Sequence, residues 1–458
     1  MTRHVRSWAL AVLPAFAMKR IMNTKLVFAR AMTLALVAGG LVASLPTEAM
    51  ATNRTWTNGS ALAGNNRQKW GTTAQFATNW SSVGVNTFAN PTSADTAVFL
   101  GNNGASHSIA IRSANVPVGK MTFGGTTQYS FTGTSVALFG DGLTPNVGIS
   151  NDASGKTQTF AGVTVSSGTI HANSTAGGTL SLSSVDLQGN TFAVGGAANV
   201  TKLTGSAGST YEAKSGSQSV AFANGNAVGT LKVSGATVSS SGDRNGTFLD
   251  IQGGSYGGSA TFLRTSITGG QFDLSDGYGL LDLLDTTGAT YSQGAAGLTK
   301  MRVGYDGTDP LFSTVITYPG AGFSLGGGLL LNGAGMPSTP LAVGLTWDLF
   351  QGVNFTSGSA SLLNNPSNFL ALVLEDSGSG SPYAGAFTLF GQGWRSPTAT
   401  DGTYLEFQAA SGNLVVVAPE PPSGVPEIDP AMGSSALSLV AGVLAMIEQR
   451  RRRAMLVA

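Results

Sequence analysis

Cysteine is absent from all 458 residues, and charge is scarce. The first absence excludes disulfide staples and thiolate metal sites; it suits export without an oxidative folding step. Stability must then come from an extended apolar core. Asp, Glu, Lys and Arg make up 10% of the chain, against roughly a quarter of a typical soluble domain. The net charge is +1, but residues 52–417 carry 14 basic and 18 acidic side chains, a net of −4 with no basic run. That distribution argues against a nucleic-acid partner. The chain has three histidines. His4 lies in an end segment, and His107 and His171 stand isolated among Ser, Ala and Asn, a poor basis for a triad or a metal site. G-x-S-x-G, a phosphate-binding loop and a calcium-binding nonapeptide array are also missing. Gln252-Gly253-Gly254-Ser255-Tyr256-Gly257-Gly258 lacks the aspartate such a calcium repeat needs and reads as a turn.

What the chain has is glycine, 64 residues of it, alongside abundant Ser, Thr and Asn and a 42% hydrophobic share that rules against wholesale disorder. Between residues 52 and 417 the hydrophobic residues come in short β-type runs. Ser108–Ile111, Val163–Val165, Leu180–Leu182, Val185–Leu187, Phe192–Val194, Leu231–Val233 and Phe248–Asp250 each bring one to three inward positions at period 2, then a turn. Runs this short suit the faces of a coil that climbs by stacking, of about 20 residues per rung. The expectation is an all-β chain: a right-handed parallel β-helix (solenoid) over 52–310, followed by a small β-sheet module over 311–417. The module is read from the longer runs Leu345–Phe350, Phe387–Phe390, Tyr404–Phe407 and Leu414–Val417.

Some β-helices are polysaccharide lyases or hydrolases, so the carboxylates are candidate catalysts. The densest group is Asp273, Asp276, Asp282 and Asp285, in FDLSDGYGLLDLLD. Acid–base or calcium chemistry needs carboxylates converging on one point, whereas Asp beside Gly and Ser is ordinary turn chemistry. A lyase would also want a cation near the acids; Arg264 and Lys300 are the nearest in sequence. No catalytic residue, cofactor or metal site is therefore assigned, and a non-enzymatic role is the leading expectation.

Both ends read as processing segments. From Met22, Lys25 and Arg30 form a basic start, Ala31–Leu45 an apolar stretch, and Ala49-Met50-Ala51 a small-x-small site for signal peptidase. Residues 1–51 are expected to form a signal helix that is removed, with the alternative of a permanent N-terminal anchor. At the other end, residues 418–430 are a proline-rich linker, which neither helix nor central strand tolerates. Residues 431–453 are expected to form a single transmembrane helix, stopped by Arg450, Arg451, Arg452 and Arg453 on the cytoplasmic side.

The order of motif, span and basic cluster resembles the PEP-CTERM sorting signal. The core here is Val425-Pro426-Glu427-Ile428-Asp429-Pro430, with a plain Pro419-Glu420-Pro421 just upstream. The resemblance implies processing by an exosortase-type membrane protease, with transient anchoring in the inner membrane and release to the cell surface or medium. An ordinary tail anchor is the alternative. The opening of the body, with Trp56, Trp70, Asn79-Trp80, Pro91, Ala94–Phe99, Val118–Gly124 and Tyr129–Gly133, resembles the start of autotransporter-type passenger domains. A self-transporting autotransporter would need a C-terminal membrane barrel, which the basic tail does not resemble. The partners expected are the protease and extracellular polysaccharide or other surface proteins, with no nucleic acid. The combined expectation is a surface or extracellular-matrix protein of structural or adhesin-like use, with a carbohydrate-active β-helix enzyme as the alternative.

Overall fold

The computed structural model describes residues 95–352 and 369–420 apart from short gaps, together with 53–56, 69–70, 80–82 and 444–449. The described chain is nearly all β, and most of its strands belong to one large sheet whose pairings are almost all parallel. Each strand lies beside the strand one turn of chain further on. Thr169 sits beside Thr191, Thr191 beside Thr210, Thr210 beside Thr230, Thr230 beside Phe248, and Phe248 beside Arg264, steps of 22, 19, 20, 18 and 16 residues. The next two, to Thr290 and then Gly322, are 26 and 32 residues. The spacing near 20 expected from the sequence is thus the middle of a spread. Strand registers hold while the connecting turns change length, which is why no strict repeat can be read from the chain.

Alternation explains the strands. In Thr210–Ala213, Tyr211 and Ala213 point inward while Thr210 and Glu212 face out. Stacked in register, the inward positions form ladders. One runs through Ile170, Phe192, Tyr211, Leu231, Leu249, Thr265, Tyr291 and Phe323, all buried. Neighbouring strands lie about 4.8 Å apart, so aromatic rings on the same ladder are brought into contact, some face to face and some, like Phe192 and Tyr211, edge to face. Phe99 and Phe123, Phe131 and Phe160, and Tyr291 and Phe323 stack with centroids 5.0, 4.9 and 5.0 Å apart. These contacts supply the cohesion that disulfides would supply elsewhere.

The interior is not wholly apolar. Gln218 is buried, accepting a hydrogen bond from the Tyr211 hydroxyl at 2.9 Å and donating to the carbonyls of Val194 and Ser215 at 2.8 and 3.0 Å. Gln158 and Gln293 are buried too, and each likewise serves backbone groups where the chain turns between faces. A coil that turns every few residues leaves corner carbonyls outside the ladder, and a long amide reaches them from within. Glycine serves the same corners by conformation: Gly216 has φ 75°, and a Cβ there would collide with the Gly196 carbonyl of the preceding rung.

After residue 311 the chain contributes to two arrangements. Gly327–Gly335 and Phe369–Glu375 continue the parallel stack. Thr346–Asp348, Asn413–Val417, Tyr404–Gln408, Gly393–Arg395 and Thr388–Phe390 form a separate antiparallel sheet in that order. Trp347 joins the two: it is fully buried, and its indole Nε1 donates to the Gly304 carbonyl at 2.7 Å. The signal segment 1–51 lies outside the described residues. Of the expected span 431–453, the described part is a six-residue helix at 444–449. Among the described residues no helix is long and apolar enough to cross a membrane.

Candidate functional site: a hydroxyl-lined groove

Parallel stacking turns outward residues into columns as surely as inward ones. Ser217, Thr237, Ser255 and Gln271 form one outward column, and Ser219, Ser239, Gly257 and Asp273 form the next. Between them runs an open groove of about 510 Å³ crossing successive rungs, with Asp273 and Asp276 at one end. Gly257 and Gly258 carry no side chain into it, so that end stays shallow. The floor is rigid because Gln218, Val238 and Tyr256 beneath it belong to the buried core.

The four acids singled out in the sequence part company here. Asp273 and Asp276 share the groove. Asp273 is committed to its own turn: Oδ1 accepts from the Ser275 backbone N–H at 2.8 Å and hydroxyl at 2.6 Å, and Oδ2 accepts from Gln271 at 3.0 Å. Asp282 lies on Leu280–Leu283, in a different sheet, opposite Thr261 and Ile316; its Oδ1 is buried without a hydrogen-bond partner. Asp285 lies outside the described residues. Among the described residues, no three His, Cys, Asp or Glu side chains come together closely enough to hold a metal ion.

Of the two cations singled out in the sequence, register brings Lys300 to the acids and leaves Arg264 apart. Lys300 stands directly beside Asp273 on the next strand, 27 positions along the chain. The other cation considered, Arg264, lies on the same strand as Asp273 but at its opposite end, beside Phe248 and Thr290. An alignment of strand 264–273 onto 290–300 is the signal that finds Lys300, and the long intervening turn hides it.

His171 and Glu212 belong to another outward column. Burial lowers the His171 pKa, helped by the Lys214 charge and opposed by Glu212. Burial pushes Glu212 up, but hydrogen bonds from Ser234 and Lys232, with the charges of Lys232 and Lys214, outweigh it and hold the carboxyl below its ordinary value. Lys232 Nζ is 3.2 Å from Glu212. His107 stacks on Tyr129 with ring centroids 5.8 Å apart. The two histidines thus lie on separate parts of the stack.

Of the sorting residues, Pro419 and Glu420 are described; Pro421, Val425, Pro426, Glu427, Ile428, Asp429, Pro430 and Arg450, Arg451, Arg452 and Arg453 lie outside, as do Ala49 and Ala51. Glu420 accepts from the Arg395 guanidinium, which also donates to Glu406 at 3.2 Å and lies 3.3 Å from the centre of the Phe390 ring. Pro419 packs on Gly402, where a Cβ would come within 2.8 Å of it.

No family model, curated protein or solved structure matches this chain. Its functional reading therefore rests on its own residues.

Proposed function

We propose that this chain is an exported, non-enzymatic protein of the cell surface or extracellular matrix, with structural or adhesin-like use. In this reading the parallel stack is a right-handed β-helix capped by the antiparallel sheet. It is delivered by an N-terminal signal, held briefly by a C-terminal span, and processed by an exosortase-type protease. The observation that carries the proposal is the outward face of the stack: columns of Ser and Thr in register over several rungs, on a body of low charge. Such a face suits contact with a polymer along its length. The reading takes Val425–Pro430 as the processed core, because the upstream Glu420 is engaged by Arg395.

Intact mass of the protein recovered from cell surface and medium tests this, against a chain deleted for 419–458. A mature form starting near Thr52 and ending near a Pro-Glu motif is expected. A form that keeps residues 431–458 would reduce the tail to a plain anchor. The second reading, a carbohydrate-active enzyme, draws on Lys300 lying beside Asp273. Release of unsaturated ends from an acidic polysaccharide, lost in Asp273→Asn, would establish it instead.

A further inference from the structure

Arg302 follows Lys300 by two positions on the same strand, so both side chains leave the same face of the sheet. Its guanidinium carbon lies 4.6 Å from the centre of the Tyr278 ring. Nε is buried there with no hydrogen-bond partner. The guanidinium makes no ion pair among the described residues, which leaves its Nη edge uncommitted. A cation stacked on an aromatic face and given no carboxylate partner is held in place rather than neutralised.

Tyr278 is itself an unusual support. It adopts a left-handed backbone, φ 63°, which a bulky residue takes up at a cost. Its hydroxyl lies where a Cβ on Gly304 or Gly335 would come within 2.6 or 2.9 Å, so two stacked rungs accommodate it by having no side chain. On the following strand Asn332 stands beside Arg302. Its Oδ1 accepts from the Ala334 backbone N–H at 3.0 Å and the Ser377 hydroxyl at 2.6 Å, which leaves the amide nitrogen as its donor. Lys300 is 3.8 Å from Glu375, a loose pairing in which Glu375 remains nearly half exposed.

These residues lie next along the stack from the groove's acidic end. Asp273 and Asp276 close its end, Lys300 is the register neighbour of Asp273, and Tyr278 belongs to the turn that carries Asp276. Following the stack, a ligand meets Ser and Thr hydroxyls, then the Asp276 carboxylate, then ammonium, guanidinium and amide donors.

We infer that this face binds an acidic polysaccharide, a uronate polymer, with sugar hydroxyls on the Ser/Thr columns and Asp276 and one carboxylate on the Arg302–Lys300–Asn332 donors. The planar guanidinium edge matches a carboxylate in shape and charge. Asp276 supplies the opposite sign where a sugar presents only hydroxyls. The inference deepens the surface-protein reading by naming the polymer, and rests on it for where that polymer is met.

The test is affinity electrophoresis of the purified full chain in gels containing polygalacturonate, fully methyl-esterified pectin of the same backbone, or dextran. Retardation is expected in polygalacturonate alone. Arg302→Gln should weaken it about tenfold, the scale of a lost charge-assisted pair, and Lys300→Gln by a smaller factor. Arg264→Gln, at the far end of its strand, should leave it unchanged. Should Arg302→Gln fail to fold, judged by its far-ultraviolet spectrum, Arg302→Lys decides: it keeps the charge, loses the fork and should still bind more weakly. Wild-type protein that ignores polygalacturonate, or is slowed equally by the esterified polymer, overturns the inference. So do folded Arg302 variants that bind as wild type does. Failure of the surface reading would appear separately, as an unprocessed mass, with gel binding untouched.

Discussion

Replacing Gln218 by leucine probes whether the buried amides hold the coil together or merely fill it. Leucine has similar bulk and suits the surrounding ladder, where Ala198 and Val238 are the register neighbours. If packing alone mattered, the change would be neutral or stabilising. The hydrogen bonds say otherwise. Without the amide, the buried Tyr211 hydroxyl loses its partner, and the Ser215 carbonyl loses a 3.0 Å donor. Val194 keeps its backbone bond from Lys214, so it suffers less. Stranding the buried Tyr211 hydroxyl costs about 1–3 kcal/mol, whereas the carbonyl of the exposed Ser215 can turn to water; less a small gain from the added apolar contact, the net loss is about 1–2 kcal/mol. A double-mutant cycle isolates the pair: Tyr211→Phe should cost about 1–2 kcal/mol alone and restore about 1 kcal/mol in the Gln218→Leu background, where it removes a hydroxyl that is already stranded. Urea unfolding followed by circular dichroism, with the m-value checked for constancy, reads both. A Gln218→Leu protein as stable as wild type, or additive single and double changes, would refute the view that interior amides secure the corners.

Thr265 interrupts an apolar ladder with a buried Oγ1 that has no hydrogen-bond partner; Thr265→Val keeps the shape, removes that hydroxyl and should raise stability by about 1 kcal/mol in urea unfolding. Trp347→Phe strands the Gly304 carbonyl and opens a cavity where the antiparallel sheet meets the stack, so a loss of about 2–4 kcal/mol is expected by the same assay. His171, whose folded pKa lies below its ordinary value, favours the unfolded chain once protonated. Its contribution is present above the unfolded pKa of about 6.5 and is lost as pH falls through the depressed folded value. His171→Asn should therefore narrow the gap between melting temperatures at pH 7.5 and pH 5, and an unchanged gap would assign that dependence to other groups.

Much of the fold was legible because strand alternation is local. Phe192–Val194, Leu231–Val233 and Phe248–Asp250 announce their faces within three residues, and each lies within a strand that pairs in parallel. Rung length was not legible, because turns between faces vary while register does not. The groove was hidden for the same reason. Ser217, Thr237 and Ser255 look like ordinary surface residues until register aligns them.

From the sequence alone followed an all-β chain without disulfides, a body of low charge, and the placement of its strands, all properties of composition and of neighbours two residues apart. The tertiary structure decided which distant residues meet: that Asp273 leaves Asp282 for Lys300, that Arg302 rests on Tyr278, and that Trp347 fastens the antiparallel sheet. The reason is physical. In a stacked coil a residue's neighbours are set by the length of the turns between rungs, and turns of Gly, Ser and Asn tolerate many lengths at little cost.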